Sequence, residues 1–185
     1  MASPAVLTAL AVPARHAVLT HLMNVGAQTA SECAVAVGIT ASNASWHLRA
    51  LAKIGLVERD DSETADRRTR PWRAAVTGLR FAPPQDAAET LAQRAARSVA
   101  AAESDAAFAD YLEHEDEVSR KWRDAATDHE YAVQATPDEL AEIGRRIDDI
   151  VRPFVRPTRA DAPDDAGLAR ITVRAYVDRR RSTHG

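Results

Sequence analysis

Ser42, Asn43, Ser45, Trp46 and Arg49 share one side of the helical stretch ASNASWHLRALAKIG, at about residues 41–54. On its other side Ala44, Leu48 and Leu51 recur at i, i+4 and i+7, the spacing of a core-facing stripe. Short hydroxyl and amide groups at the start of such a helix hydrogen-bond base edges and phosphates when it lies in the major groove of DNA. Ser42 and Asn43 stand at that N-terminal end, where base contacts concentrate, directly after Thr40. Arg49 and Lys53, one turn apart, suit phosphate oxygens, and His47 suits a contact to the DNA backbone or a place in the packing. A second cationic group, Arg67-Arg68-Thr69-Arg70, could reach the flanking backbone or minor groove.

Other chemistries have little support. No Gly-rich phosphate loop, nucleophile elbow or HExxH motif occurs, so no enzyme is expected. The acidic runs EHEDE (113–117) and PDE (137–139) have the composition of solvated faces and helix starts. Cys33 is the single cysteine, which excludes a disulfide within the chain and a Cys-rich zinc module. It is expected to be a small buried apolar residue. Asp110 and His114, at i,i+4, could place two metal ligands on one helix face, but no matched second pair follows. Neither a metal nor another cofactor is expected.

The elements that must hold the polar face follow from periodicity and punctuation. Val18, Leu19, Leu22 and Met23 predict a helix over 14–24, stopped by Gly26. A second helix starts around Thr29 and ends at Gly38, and after a short turn Thr40 caps the third, which ends at Gly55. Two helices joined by a short turn containing Gly make a helix-turn-helix. Two β-prone pieces on either side of a charged stretch predict a hairpin with a long tip over about 56–77.

Past Pro83 and Pro84 the pattern changes. Asp86 to about His114 contains neither Pro nor Gly and predicts a long Ala-rich helix. Leu91, Ala95, Val99, Ala102 and Ala106 recur along it as a surface of small side chains suited to close helix approach. A helical stretch through Val118 and Trp122 follows. YAVQA (131–135) predicts a short strand, and Thr136, Pro137 and Glu139 open a capped helix running to about Val151. The alternation of LARITVRAYV predicts a terminal strand.

SNASWHLRALAKIGLVER resembles the ArsR-type winged-helix repressors, whose recognition helix reads S-x-x-x-S-x-H-L-x-x-L-x-x-x-G-L-V. The matching positions are Ser45, His47, Leu48, Leu51, Gly55, Leu56 and Val57. Pro13-Ala14-Arg15 also resembles the first-helix pattern of that family, and the likeness spans about residues 5–80. It implies a homodimer, a repressor, with a recognition helix of each protomer in a major groove of an imperfect inverted repeat. Trp46 stands where related helices carry a polar or basic residue; its indole can stack on sugar or a thymine methyl, or pack on the wing. The paired Cys and His ligands of the family's metal sensors are missing. The second half resembles the C-terminal region of a group of winged-helix regulators whose long helix is a dimerisation element. That likeness places Leu91, Ala95, Val99 and Ala102 at a dimer core.

The fold class expected is mainly α (α+β). A winged helix-turn-helix domain over 1–82 precedes a dimerisation and effector region over 83–185, with residues 129–179 as a small α+β cap. Charge divides along similar lines. Residues 1–81 hold nine Arg/Lys against six Asp/Glu, a net of +3, while the rest carries −6 of the overall −3. The basic half is the one expected to meet a polyanion. Partners expected are double-stranded DNA, a second copy of the chain and an unidentified small-molecule effector, with no membrane. Phe108, Tyr111, Trp122 and Tyr131 either surround an effector pocket or pack in a core, packing being favoured. With one cysteine and no leader ahead of an apolar run, the expected place is the cytoplasm, at the nucleoid. The alternative from another class is a winged helix that binds proteins without specific DNA recognition.

Overall fold

The computed structural model describes residues 3–61, 70–78, 83–155, 159 and 161–178. Helices α1 (Pro4–Leu10), α2 (Pro13–Val25), α3 (Ala30–Val37) and α4 (Ala41–Ala52) are followed by strands β1 (Val57–Arg59) and β2 (Trp72–Ala74). The long α5 (Ala87–Glu113), the short α6 (Arg120–Ala125) and α7 (Pro137–Val151) complete the regular elements, with 3-10 turns at Glu115–Glu117 and Arg152–Phe154. No single described helix is long and apolar enough to cross a membrane.

Helix ends follow local chemistry. Thr29 caps α3 through a reciprocal box: its Oγ accepts from the Glu32 amide at 3.2 Å, and the Glu32 carboxylate accepts from the Thr29 amide at 2.7 Å. Gly38 then turns the chain at φ +70°, a left-handed conformation that costs a side chain strain, and the Ile39 amide closes back on the Ala34 carbonyl at 3.0 Å. Gly55, at φ +73°, does the same after α4, with the Leu56 amide on the Leu51 carbonyl at 3.1 Å. The N-terminal α1 was not foreseen. Ser3 caps it and Pro4 opens it, and its Val6, Leu7 and Leu10 are buried.

One core gathers the first elements. Val18, Leu19 and Leu22 of α2, Cys33 and Ala34 of α3, and Ala44, Leu48 and Leu51 of α4 are buried together with Leu56, Val57 and Trp72. The expected core stripe of α4 is thus observed. Burial pushes the Cys33 thiol up to about 11, so it stays protonated at neutral pH and packs as an apolar group. The strands form an antiparallel pair in the register Val57↔Ala74, Glu58↔Arg73, Arg59↔Trp72. Gln28, in the α2–α3 loop, exchanges both backbone hydrogen bonds with Trp72, at 2.8 and 2.7 Å. That bridge ties the hairpin to the helices.

Two compact units divide the chain, Met1–Glu113 and His114–Gly185. The division falls after α5, not at the expected boundary of 82/83, because α5 packs on α1 and α2. Its Gln93 and Ala96 are buried, and Glu103 forms an ion pair with His16 Nδ1 of α2 and accepts from Thr20 Oγ1 at 3.3 Å. A 27-residue helix is about 40 Å long.

In the second unit the two expected strands are corrected. Neither YAVQA (131–135) nor 168–177 is a β-strand, so among the described residues the expected α+β cap at 129–179 holds α7 and a 3-10 turn but no strand. Alternation marks a strand only where a neighbouring strand takes up its backbone groups, and here Tyr131, Val133, Leu168, Ile171, Val173 and Tyr176 are exposed. The expected capping box of α7 is present, with the Glu139 amide donating to Thr136 Oγ at 3.3 Å. Its apolar row, with Ile143 and Ile150 exposed, is not buried within the unit.

Leu48→Ala should destabilise the first unit by about 2–5 kcal/mol, because no neighbour can fill the space in a core closed on every side. Denaturant unfolding measures this. A thiol reagent should meanwhile label Cys33 in the native protein only as fast as the chain opens; immediate stoichiometric labelling would contradict the buried thiol.

Candidate nucleic-acid interface

The two faces of α4 are distinct. Thr40, Ser42, Asn43, Trp46, Arg49 and Lys53 are exposed and Ser45 half-buried, while Ala44, Leu48 and Leu51 are fully enclosed. Successive helical residues turn by about 100°, which brings Ser42, Ser45, Trp46, Arg49 and Lys53 to one side and leaves Asn43 at its edge. Thr40 holds the N-cap, its Oγ accepting from the Asn43 amide at 3.2 Å. Its hydroxyl is therefore partly committed to the helix. Charged groups on this face come late, with Arg49 in the last turn and Lys53 at the C-cap.

His47 stands apart from the others. Only 9% of it is exposed, and it lies on the core side with Ala44 and Leu51. The spacing already contains that outcome, since 47 is i+3 from 44 and i−4 from 51. Its position is that of a packing residue, not of an exposed DNA contact.

Trp46 is 53% exposed and has three distinct neighbourhoods. One side meets the His47 ring edge-on at 4.9 Å between centroids, another carries the Arg15 guanidinium of α2 at 4.7 Å, and the rest faces out.

The wing strands bear their own cations. Arg59 lies over the buried Trp72 ring at 3.7 Å and donates to the Arg70 carbonyl. Burial, followed by the nearby Arg70, lowers its pKa, against the pull of Asp61. Arg73 pairs with Glu58 across the hairpin at 2.7 Å. Arg70 is exposed and sits at φ +44°, unusual for a residue with a side chain. Arg67 and Arg68 lie outside the described residues.

On α5, Leu91 is 66% exposed, Ala102 is exposed, and Ala95 and Val99 are half-buried along the same edge. The four aromatics do not share a unit: Phe108 and Tyr111 stack on α5 at 6.3 Å, whereas Trp122 and Tyr131 belong to the second unit. There the Trp122 ring covers Gly167 so closely that a Cβ would lie 2.7 Å from it, and the Tyr131 hydroxyl meets His129 Nδ1 at 3.1 Å. The sequence reading passed over Arg15, Gln28 and Trp72. Only Arg15 carried a signal, in Pro-x-Arg; the other two gain their role from a contact between distant segments.

Two histidines make the first unit sensitive to acid. Burial holds both His21 and His47 below the ordinary 6.5; Glu32 opposes this at His21, and the Arg15 charge adds to it at His47. The unfolded chain takes up protons near pH 6.5, while the folded chain does so only at lower pH. Stability contributed by the neutral rings is therefore present above pH 6.5 and declines as pH falls toward the folded values. The melting temperature should drop between about pH 7.5 and pH 5.5, and His47→Gln should reduce that difference. An unchanged difference in the variant would contradict the assignment to His47.

Residues 13–59, from the start of α2 to the end of β1, match the family model for the bacterial regulatory protein, arsR family. The match takes in roughly a quarter of the chain and leaves out β2, α5 and the second unit. No curated protein matches the chain. Residues 13–59, which hold α3 and α4, are thus similar to the helix-turn-helix of that family, the DNA-binding part of its regulators.

Proposed function

We propose that this chain is a sequence-specific repressor that binds an imperfect inverted repeat of double-stranded DNA as a homodimer, in the cytoplasm. The observation that carries this is the division of α4. Leu48 and Leu51 lock the helix into the core, and Ser42, Asn43, Ser45 and Arg49 are left together on its outer side. Ser42 and Asn43 then make the base contacts, Arg49 and Lys53 hold phosphates, and Arg67, Arg68 and Arg70 of the wing reach the neighbouring backbone. Two copies are needed because one helix reads only a few base pairs, and symmetric half-sites demand a symmetric protein.

The exposed edge of α5 supports the second copy. Leu91, Ala95, Val99 and Ala102 offer small and apolar side chains on a helix whose opposite face is already taken by α1 and α2. A small-molecule effector acting through the second unit completes the reading, and the aromatic residues Trp122 and Tyr131 there are its candidate contacts.

The function is tested on DNA upstream of its own gene. Anisotropy titrations should give nanomolar to tens-of-nanomolar binding that weakens steeply with salt, and Arg49→Ala with Arg68→Ala should lower affinity at least tenfold (an order-of-magnitude expectation for two lost phosphate contacts). Salt-independent association, or none with any genomic fragment, would favour a protein-binding module instead.

The assembly has its own test. Light scattering should give twice the chain mass for the native protein and one chain mass for a Leu91→Glu, Ala102→Glu variant of unchanged helicity. A variant that stays dimeric would move the interface away from α5.

A further inference from the structure

We infer that Arg15 of α2, laid on the Trp46 indole, is a binding site for one backbone phosphate of the DNA that α4 reads. This deepens the proposed function and rests on it. The guanidinium lies 4.7 Å from the ring centroid, so two helices jointly present one cation beside the polar face of α4. Trp46 is four residues after Ser42 and three before Arg49, which puts the Arg15–Trp46 pair between the base-reading start of the helix and its late cations.

Three observations make this a site for an anion. Arg15 is half-buried, and among the described residues it forms no ion pair, although Arg73, Arg120, Arg145, Arg146 and Arg152 all find carboxylates. Its Nε is enclosed without a hydrogen-bond partner among the described residues. A guanidinium that has lost part of its hydration and met no acid lacks an acceptor, and a phosphodiester oxygen supplies one of the right geometry. Finally, Arg15 lies close enough to the buried His47 ring to add to the lowering of its pKa by burial, and an imidazole brings no negative charge to the guanidinium.

The arrangement also gives Trp46 a role. An indole on an exposed helix face is a poor donor set for base edges, since it offers a single N–H. As a platform it does something else: it restricts a flexible arginine to one orientation, so less side-chain entropy is lost when the phosphate binds. The ring is a positioning group and the guanidinium is the contact.

The test uses the full-length chain and a DNA fragment that the native protein binds. If no genomic fragment is bound, the DNA-binding reading itself fails, and this inference with it. Given a bound fragment, Arg15→Ala should weaken binding about five- to tenfold at about 0.1 M salt and reduce the slope of log K against log salt by about one. Cognate and non-cognate DNA should be weakened alike, because a phosphate carries no sequence. Replacing phosphates one at a time by uncharged methylphosphonates should find one position in each half-site that costs the native protein affinity but leaves Arg15→Ala unaffected. Trp46→Phe should keep most of the binding, and Trp46→Leu should lose about as much as Arg15→Ala, with no further loss in the double variant. Arg15→Gln, which retains hydrogen-bonding groups and part of the aliphatic stem without charge, separates a lost contact from a lost fold: it should match Arg15→Ala in slope while melting like the native protein. An unchanged slope in both Arg15 variants, or a loss confined to cognate DNA, would overturn the assignment of Arg15 to a phosphate.

Discussion

Everything in the first unit depends on the burial of α2. This helix touches α1, α3, α4, β2 and α5, and its Val18, Leu19 and Leu22 have almost no contact with solvent. Each such side chain contributes about 1.5–3 kcal/mol through removal from water. The larger consequence is geometric. Because α2 packs against both α4 and α5, neither can shift without opening the same core. The polar face of α4 is therefore presented by a packed body, and its direction is set by residues that never meet a ligand.

The wing follows the same logic at smaller scale. A two-stranded hairpin is marginal by itself. Here it is held at three points. Trp72 enters the core, Gln28 pairs with it through an isolated backbone bridge, and Arg59 covers its outer face and donates to the Arg70 carbonyl. The Arg73–Glu58 pair across the strands is exposed and contributes little to stability. Its effect is to neutralise Arg73 while Arg70 remains exposed.

How much was legible depends on whether a residue's role is local. Helix starts and stops at Thr29, Gly38, Thr40, Gly55 and Thr136 were readable because a cap is made within four residues of itself. The stripe Ala44, Leu48, Leu51 was readable from period alone. For His47 the motif left a backbone contact and a place in the packing both open, and the period, which sets it on the core side, agrees with its burial. Gln28 and Trp72 were illegible, since their pairing joins segments more than forty residues apart and neither has a compositional mark. The two strand expectations past residue 130 failed for a related reason. Alternation describes one partner of a ladder, and nothing within such a segment says whether the other exists.

The same distinction explains α5. Its sequence shows a run of small residues all around, so period alone did not say which face would be buried or by what. The structure assigns one face to α1 and α2, through Gln93, Ala96 and the Glu103–His16 pair, and leaves Leu91 and Ala102 outward. This helix is gripped on one side by the body that carries α4, so a displacement of α5 would reach α2 through that packed face. The Glu103–His16 pair and the Thr20 hydroxyl are the polar part of that grip, and removing one partner would leave a partly desolvated group behind. From α2 the path to the outer face of α4 is short: Leu19 and Leu22 share the core with Leu48 and Leu51, and Arg15 rests on Trp46. Core packing and the ring contact thus run in parallel between the same two helices. A change in α5 that tilted α2 would alter both together, and the reading face would turn as a unit with the rest of its core.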